Sequence, residues 1–465
     1  MNSIDILNSK ISLLFFLILT VFFNLLYLTD FALEFSDFTW SFLIILYLTC
    51  VYFFRTVNKI NILSLFSLFY ITFLLFLCGR FFSIFLGYDK SLFEFDFFTF
   101  NQLNSYEITK LMFILLSGMA GMEVGLYLYK VSKKNEIEYD TRALNINSYF
   151  SYLVSFIIIA LLYLSIIKAL ITAMQGDFLS LYAEGQNENY NSGLSSFLTP
   201  ISLIWLGVVC IMKNKKIQKI YMLLLFFYYF LGLLVGYRGG FICFMLFLVW
   251  YINDYGAKSI DVKKALKVVM YFLMFIVFMN TIYISMTFRD ISAGDSGFLN
   301  SILGLIYSQG ITLMVFNESL YVNDYPIQQY FQNFLPGISF LYNNFIETIP
   351  YYKTSWNAYL SYSLNPKMYE MGYGVGWSLF SDIYLYSFGI IFLFSSLVAI
   401  FSYFLNFIQY NINRSIFFKY IAIVISLNIF FLPRGNLSSI FPLIIYALIF
   451  LLIILFFSRV ERNEK

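Results

Sequence analysis

The chain contains no histidine, only seven prolines and four cysteines, and just 12% charged residues. Without histidine the commonest general base and the commonest zinc ligand are missing. That excludes histidine-dependent integral enzymes such as the membrane-bound acyltransferases and lipid phosphatases. Cys50, Cys78, Cys210 and Cys243 all lie in apolar runs without paired spacing, so neither a disulfide framework nor a metal knuckle is expected, and they read as small buried hydrophobes. No Gly-x-x-x-x-Gly-Lys-Ser/Thr loop occurs and no stretch reads as a soluble nucleotide domain, so ATP-driven work is not expected. Any reaction must then draw on a substrate that is already activated, or on a gradient. Nothing calls for a cofactor or a metal, and a formal charge of +3 is too small to mean a nucleic-acid partner. There is no visible internal repeat or low-complexity linker.

What the chain has is apolar and aromatic. It is 60% hydrophobic, with 58 Phe and 39 Tyr spread along 465 residues, and its mean hydropathy is +0.78. An all-α polytopic membrane protein is expected, a single integral membrane domain over 1–465. At about 20 residues per span, the apolar segments fall at 11–29, 38–54, 61–86, 108–129, 149–174, 196–212, 219–236, 239–252, 267–288, 384–408, 416–432 and 438–457, about twelve transmembrane helices. Basic residues mark alternate gaps: Lys10; Arg55 and Lys59; Lys130, Lys133, Lys134 and Arg142; Lys213, Lys215, Lys216 and Lys219; Lys258, Lys263, Lys264 and Lys267; Arg414 and Lys419; Arg459, Arg462 and Lys465. By the positive-inside rule these gaps and both termini are cytoplasmic. The first segment lacks a small-residue cleavage site and leads into Asp30, Glu34 and Asp37, so it reads as a retained helix. One segment on the opposite, outer side, 289–372 between spans 9 and 10, is expected to be a large loop. Its two moderately apolar stretches, 298–316 and 338–349, read as short helices lying at the interface, and long ordered loops usually carry function.

Four arginines stand at outer ends of spans, where the insertion rule asks for no positive charge: Arg80, Arg238, Arg289 and Arg434. Two share a context, Gly236-Tyr237-Arg238-Gly239-Gly240 and Pro433-Arg434-Gly435-Asn436. Glycine lets backbone approach a ligand closely, and the following helix aims its first amides at the same spot, which makes each tip an anion site. A guanidinium grips two phosphate oxygens at once, so paired Arg-Gly tips suit a diphosphate. The alternative is that these arginines only snorkel to the headgroups. Arg289, beside Asp290, is either a third anion contact or half of a surface ion pair, and Arg80 reads as an anchor.

Downstream, the glycine-rich Gly372-Tyr373-Gly374-Val375-Gly376-Trp377-Ser378 precedes Asp382 in the first turns of a helix. A carboxylate there is held ionised by the helix dipole and can accept from a sugar hydroxyl, unless it merely caps the helix. With no histidine, a base that activates a hydroxyl must be Asp or Glu. The outer candidates are Asp290, Asp295, Glu318, Glu347 and Asp382, and spacing does not choose between them. Tyr325, Tyr330, Tyr342, Tyr351, Tyr352, Trp356, Tyr359 and Tyr362 crowd the long loop. Such rings stack on sugar faces, though interfacial belts collect them too. The candidate site is therefore Arg238, Arg434, Arg289, Asp382 and Asp290 for chemistry, with Gly236, Tyr237, Gly239, Gly435, Tyr373 and Trp377 for substrate.

The mid-chain Arg-Gly turn, the late outer loop, the run Gly374 to Ser378 followed by Asp382-x-Tyr384 and Gly389, and the final Arg-Gly hairpin together resemble the bacterial oligosaccharide repeat-unit polymerases, the Wzy family of O-antigen and capsule synthesis. The likeness spans nearly the whole chain. It implies an inner-membrane, metal-independent glycosyltransferase that moves a growing glycan from undecaprenyl diphosphate onto an undecaprenyl-diphosphate-linked repeat unit at the periplasmic face. Donor, acceptor and membrane lipid are the implied partners, with a chain-length regulator protein as a further one. The resemblance carries diphosphate contacts onto Arg238 and Arg434, and less securely onto Arg289. The family more often has Glu where Asp382 stands. Related O-antigen ligases rely on a histidine, which this chain lacks.

Two other readings compete. A flippase for lipid-linked oligosaccharide fits twelve spans, but it should place charge along a mid-bilayer path, and only Lys168 and Glu123 lie within spans, both near an end. A lipid-phosphate-sugar-dependent glycosyltransferase would need paired acids in the first outer loop, where Asp30, Glu34 and Asp37 form no such motif.

Overall fold

A computed structural model describes residues 3–94, 98, 103–132, 142–174, 193–235, 237–255, 298–346, 349–457 and 459–462. Gly236, Arg289, Asp290, Asp295, Glu347 and the expected span at 267–288 lie outside the described residues.

The first four helices are α1 (Ser3–Leu28), α2 (Asp37–Val57), α3 (Leu65–Phe85) and α4 (Ser105–Ser132). Their starts are written locally. Ser36 Oγ accepts the Thr39 amide at 3.2 Å and Ser64 Oγ the Ser67 amide at 3.2 Å. Before α4, Asn104 and Glu107 form a capping box, each side chain accepting the other's amide at 2.9 Å. There follow α5 (Ser148–Met174), α6 (Gly193–Ile211), α7 (Lys215–Val235) and α8 (Arg238–Tyr255). Six short helices then fill the long segment: α9 (Phe298–Gln309), α10 (Thr312–Tyr321), α11 (Gln328–Gln332), α12 (Ile338–Phe345), α13 (Trp356–Leu364) and α14 (Pro366–Glu370). The chain ends with α15 (Leu379–Tyr386), α16 (Ile391–Asn411), α17 (Ile416–Phe431) and α18 (Phe441–Phe457). Among the described residues nine helices are long and apolar enough to cross a membrane, and the apolar parts of α6 and α8 are shorter.

Three features depart from the sequence expectation. The segment 384–408 is two helices, because Phe388 and Gly389 both take left-handed backbone, at φ 52° and 75°, and the span starts only at Ile391. The stretch 298–316 is not a single short helix. It divides into α9 and the start of α10, with Leu313, Met314 and Phe316 fully buried, and it packs on α3, where a Cβ at Gly310 would come within 2.5 Å of the Arg80 amide nitrogen. Finally, Arg142–Asn145 and Arg459–Arg462 form a short antiparallel ladder that pairs Leu144 with Val460.

Helix α4 is the deepest span, packed along α1 on one side and α16 on the other. A Cβ at Gly121 would stand 2.7 Å from the Ser395 carbonyl oxygen, so only glycine lets the two backbones touch. Polar groups between these helices satisfy one another. Asn24 Nδ2 donates to Ser395 Oγ at 3.0 Å, and the Ser117 hydroxyl donates to Asn24 Oδ1. At the basic end, Arg55 makes two hydrogen bonds to the fully buried Glu123 and lies 4.0 Å from the centre of the Tyr70 ring. At the far end Arg80 anchors the loop after α3, donating to Leu92 O at 2.8 Å and Glu94 O at 2.6 Å, with its guanidinium 4.6 Å from the Tyr307 ring centre.

The ion pair gives a stability prediction. Glu123→Leu leaves Arg55 buried without its counter-ion and should cost about 3 kcal/mol, whereas the double replacement with Arg55→Leu should recover most of that loss. The readout is the temperature at which the detergent-solubilised protein aggregates. A double variant no better than the single one would contradict the pairing argument.

Candidate functional site

At the far end of the bundle, two turns distant in sequence are held together by one carboxylate. Ser378 caps α15, its Oγ accepting the Phe380 amide at 3.2 Å. Asp382 follows in the first turn and is fully buried. Its Oδ1 accepts the indole N–H of Trp377 at 2.7 Å, and its Oδ2 accepts the backbone N–H of Leu437 at 2.5 Å. Next to it, the Ser381 and Ser319 hydroxyls lie 2.7 Å apart, tying α15 to α10. Burial pushes the Asp382 carboxyl up to about 7, and the two donated hydrogen bonds pull the other way.

The second turn follows α17. Pro433 cannot continue the helix, and Leu432–Arg434 tighten into a single 3-10 turn. Arg434 emerges from it, donating from Nη1 to Gln309 Oε1 at 3.2 Å, with its guanidinium 5.9 Å from the centre of the Phe76 ring. Between the two turns lies a cavity of about 390 Å³. One wall is Gly376 and Trp377 with Asn357 from α13. The other is Asn428, Phe431, Leu432, Arg434, Gly435, Asn436 and Ser439. Among the described residues the lining thus offers one cation, three amide side chains and no carboxylate. Asn357 Oδ1 is buried with no hydrogen-bond partner.

The other Arg-Gly tip reaches the same place through its backbone. A Cβ at Gly239 would stand 2.6 Å from the ring of Phe431, so the first turn of α8, which begins at Arg238, rests on a residue that lines the cavity. A larger residue there would have to displace the Phe431 ring. Tyr237 is an exposed ring whose amide closes the preceding turn onto Gly232 O at 2.8 Å.

Of the expected site residues, Arg434, Gly435 and Trp377 line the cavity, Gly239 packs against Phe431 of that lining, and Arg238 begins the helix that carries Gly239. Gly236, Arg289 and Asp290 lie outside the described residues. Tyr373 belongs to the turn after α14, its amide donating to Met368 O at 3.1 Å, and is not part of the lining. Asp382, expected to meet a sugar hydroxyl, faces inward instead, with both oxygens engaged. The expected aromatic platform is largely packed on itself: Trp356 and Trp377 are buried with ring centres 6.2 Å apart, Tyr330 meets Trp356 at 4.8 Å, and Tyr352 stacks on Tyr362 at 3.9 Å. Glu318 is a second buried outer carboxylate. Its Oε1 accepts from Asn317 at 3.3 Å, and burial, then the charge of Glu107, raises its pKa.

The sequence reading missed the amides. Asn357, Asn428, Asn436 and Gln309 carry no charge and form no motif. The available signal was Asn428 inside an apolar span and Asn436 beside the Arg-Gly pair.

Compared with known proteins, the chain matches the family described as O-antigen polysaccharide polymerase Wzy over residues 9–464. No curated protein and no solved structure matches it.

The Asp382 clamp has a pH signature. The folded protein holds the Asp382 proton up to about pH 7, whereas an unfolded chain releases it near about pH 4. Between those values the folded state binds more protons, so this group's contribution to stability falls as pH rises across that window and levels off above it. Asp382→Asn cannot titrate, and its amide NH2 must face one of the two N–H donors, a cost of about 1–3 kcal/mol. Melting temperatures from about pH 5 to about pH 8 should show this slope in the wild type and lose it in the variant. Parallel curves would count against titration at Asp382.

Proposed function

The chain belongs to the Wzy family of O-antigen polysaccharide polymerases, and from that premise we propose that the cavity beside Arg434 receives the diphosphate of a lipid-linked oligosaccharide. The family gives an O-antigen repeat-unit polymerase, a glycosyltransferase-type enzyme in a multi-pass membrane protein. Our reading adds that donor and acceptor are undecaprenyl-diphosphate-linked repeat units, that the far end of the bundle faces the periplasm, and that both termini are cytoplasmic. The product is a surface polysaccharide of O-antigen or capsule type. The observation carrying this reading is the cavity itself, which joins a guanidinium, three amides and an indole with no lining carboxylate among the described residues.

In the reaction, an acceptor hydroxyl attacks the anomeric carbon of the donor glycan. The bond from that carbon to the diphosphate oxygen breaks, and the departing lipid diphosphate takes the electron pair. Arg434 stabilises the charge developing there. Arg238, whose helix starts against Phe431, is the second diphosphate contact. Because the cavity walls include Phe431 and Leu432, the electrostatic attraction acts in a medium of lower dielectric than water. The hydroxyl proton passes to an outer carboxylate, for which Asp290, flanking Arg289, remains our candidate. Asp382 acts through others: it is a positioning residue that fixes Trp377 on one wall and the turn after Arg434 on the other. Gly435 allows the chain to pass close to the ligand, and the amides of Asn357 and Asn436 suit sugar hydroxyls.

Arg434→Ala and Arg238→Ala should each reduce polymerisation about 10²- to 10³-fold, the usual result of deleting one oxyanion donor. Surface glycan should then stop at one repeat unit per lipid core while protein abundance stays normal. Arg434→Lys should restore only part of the ladder, because an ammonium lacks the forked geometry. Unchanged ladders on a glycan gel for both alanine variants would refute the assignment.

A further inference from the structure

From Tyr325 to Ile346 the long segment contains no Asp, Glu, Lys or Arg, unusual for chain outside the spans. Several of its apolar side chains are turned outward. Phe345 is 80% exposed, Ile346 71%, Ile327 69% and Phe331 59%. On α12, Ile338, Leu341, Tyr342 and Phe345 recur at the spacing of one helix face, with Asn343 and Asn344 opposite. A contiguous apolar surface on an extramembrane segment needs an occupant.

The occupant is indicated by what the surface runs into. The Phe334 ring lies 4.9 Å from the ring of Phe441, the first residue of α18. Tyr330 lies parallel to Phe388, with ring centres 6.5 Å apart, and exposed Phe388 and Ile390 lead directly into α16. The apolar row is thus continuous with the first turns of two membrane-spanning helices, and only 28% of the span that includes α18 is buried inside the protein. Whatever covers those helices also covers this row, and for spans that is lipid.

We propose that the segment Gln328–Ile346 is a lipid-binding blade, lying in the plane of the bilayer interface at the far end of the bundle. Phe331, Phe345 and Ile346 insert about 5–10 Å, to the boundary between headgroups and acyl chains. Asn343 and Asn344 stay among the headgroups. The blade is joined to the cavity wall, since Tyr330 packs on Trp356 and Trp356 on Trp377. Binding of the blade therefore sets the depth at which the cavity meets the leaflet. The blade rests on exposure and continuity alone and stands whether or not the cavity binds diphosphate.

The test uses full-length protein in vesicles of phosphatidylethanolamine and phosphatidylglycerol, in a Cys50→Ser background, with a nitrobenzoxadiazole label at Phe345→Cys. Asn323→Cys, exposed and polar at the same end, is the aqueous control, and Ile346→Cys is a second reporter should the first disturb folding. Lipids bearing a nitroxide near the headgroup should quench the label at 345 or 346 more than lipids with the nitroxide at the chain end. Iodide quenching there should be at least about threefold weaker than at 323. Iodide quenching equal to that at 323, with no effect of nitroxide lipid, would overturn the proposal. Protection from both quenchers would also overturn it, because it would mean that another protein or a second copy covers the face.

Discussion

Two turns separated by some sixty residues share the side chain of Asp382, and the geometry of the far end depends on that sharing. Trp377 reaches one oxygen and the amide of Leu437 the other. The indole is part of one cavity wall, and Leu437 directly follows the Arg434-Gly435-Asn436 turn that builds the other. An isolated buried carboxylate is costly; two well-formed hydrogen bonds, and a proton retained up to about pH 7, lower that cost.

The bundle beneath must present these turns without strain, and in a bilayer that means pairing every polar group inside the protein. The solution differs at the two ends. At the basic end the pairing is ionic, with Arg55 on Glu123. Midway it is neutral, through Asn24, Ser117 and Ser395. At the far end it passes to backbone carbonyls, as Arg80 holds the loop after α3. Helix α17 stops at Phe431 because Pro433 follows, and this termination puts Arg434 beyond the apolar run.

The helices were legible in sequence because twenty-residue apolar runs separated by basic gaps leave little choice of fold. The arginine turns were legible for a similar reason, since a charge at the end of an apolar helix stands out against its surroundings. What could not be read was direction. Asp382 lies in the first turn of its helix as the sequence suggested, but whether a carboxylate at that position faces solvent or protein depends on Trp377 and Leu437, which only the fold brings near. The tyrosines of the long segment carried the same ambiguity. Their number suggested a sugar platform, whereas Tyr330 packs on Trp356 and Trp356 on Trp377, behind the wall that Trp377 helps to form. The break at Phe388 and Gly389 was hidden because the residues on either side are apolar enough to run together as one span.

The lining has a consequence for how the site responds to its surroundings. Asn357, Asn428 and Asn436 offer donors and acceptors that do not titrate, and a guanidinium keeps its proton at any physiological pH. The charge on the described cavity surface is therefore fixed. Asp382, which bonds to both walls, lies behind them rather than between them. A change of pH then acts on the clamp, because an ionised carboxylate accepts the hydrogen bonds of Trp377 and the Leu437 amide more strongly than a neutral one. For the proposed diphosphate leaving group, that arrangement keeps the attracting charge of Arg434 constant.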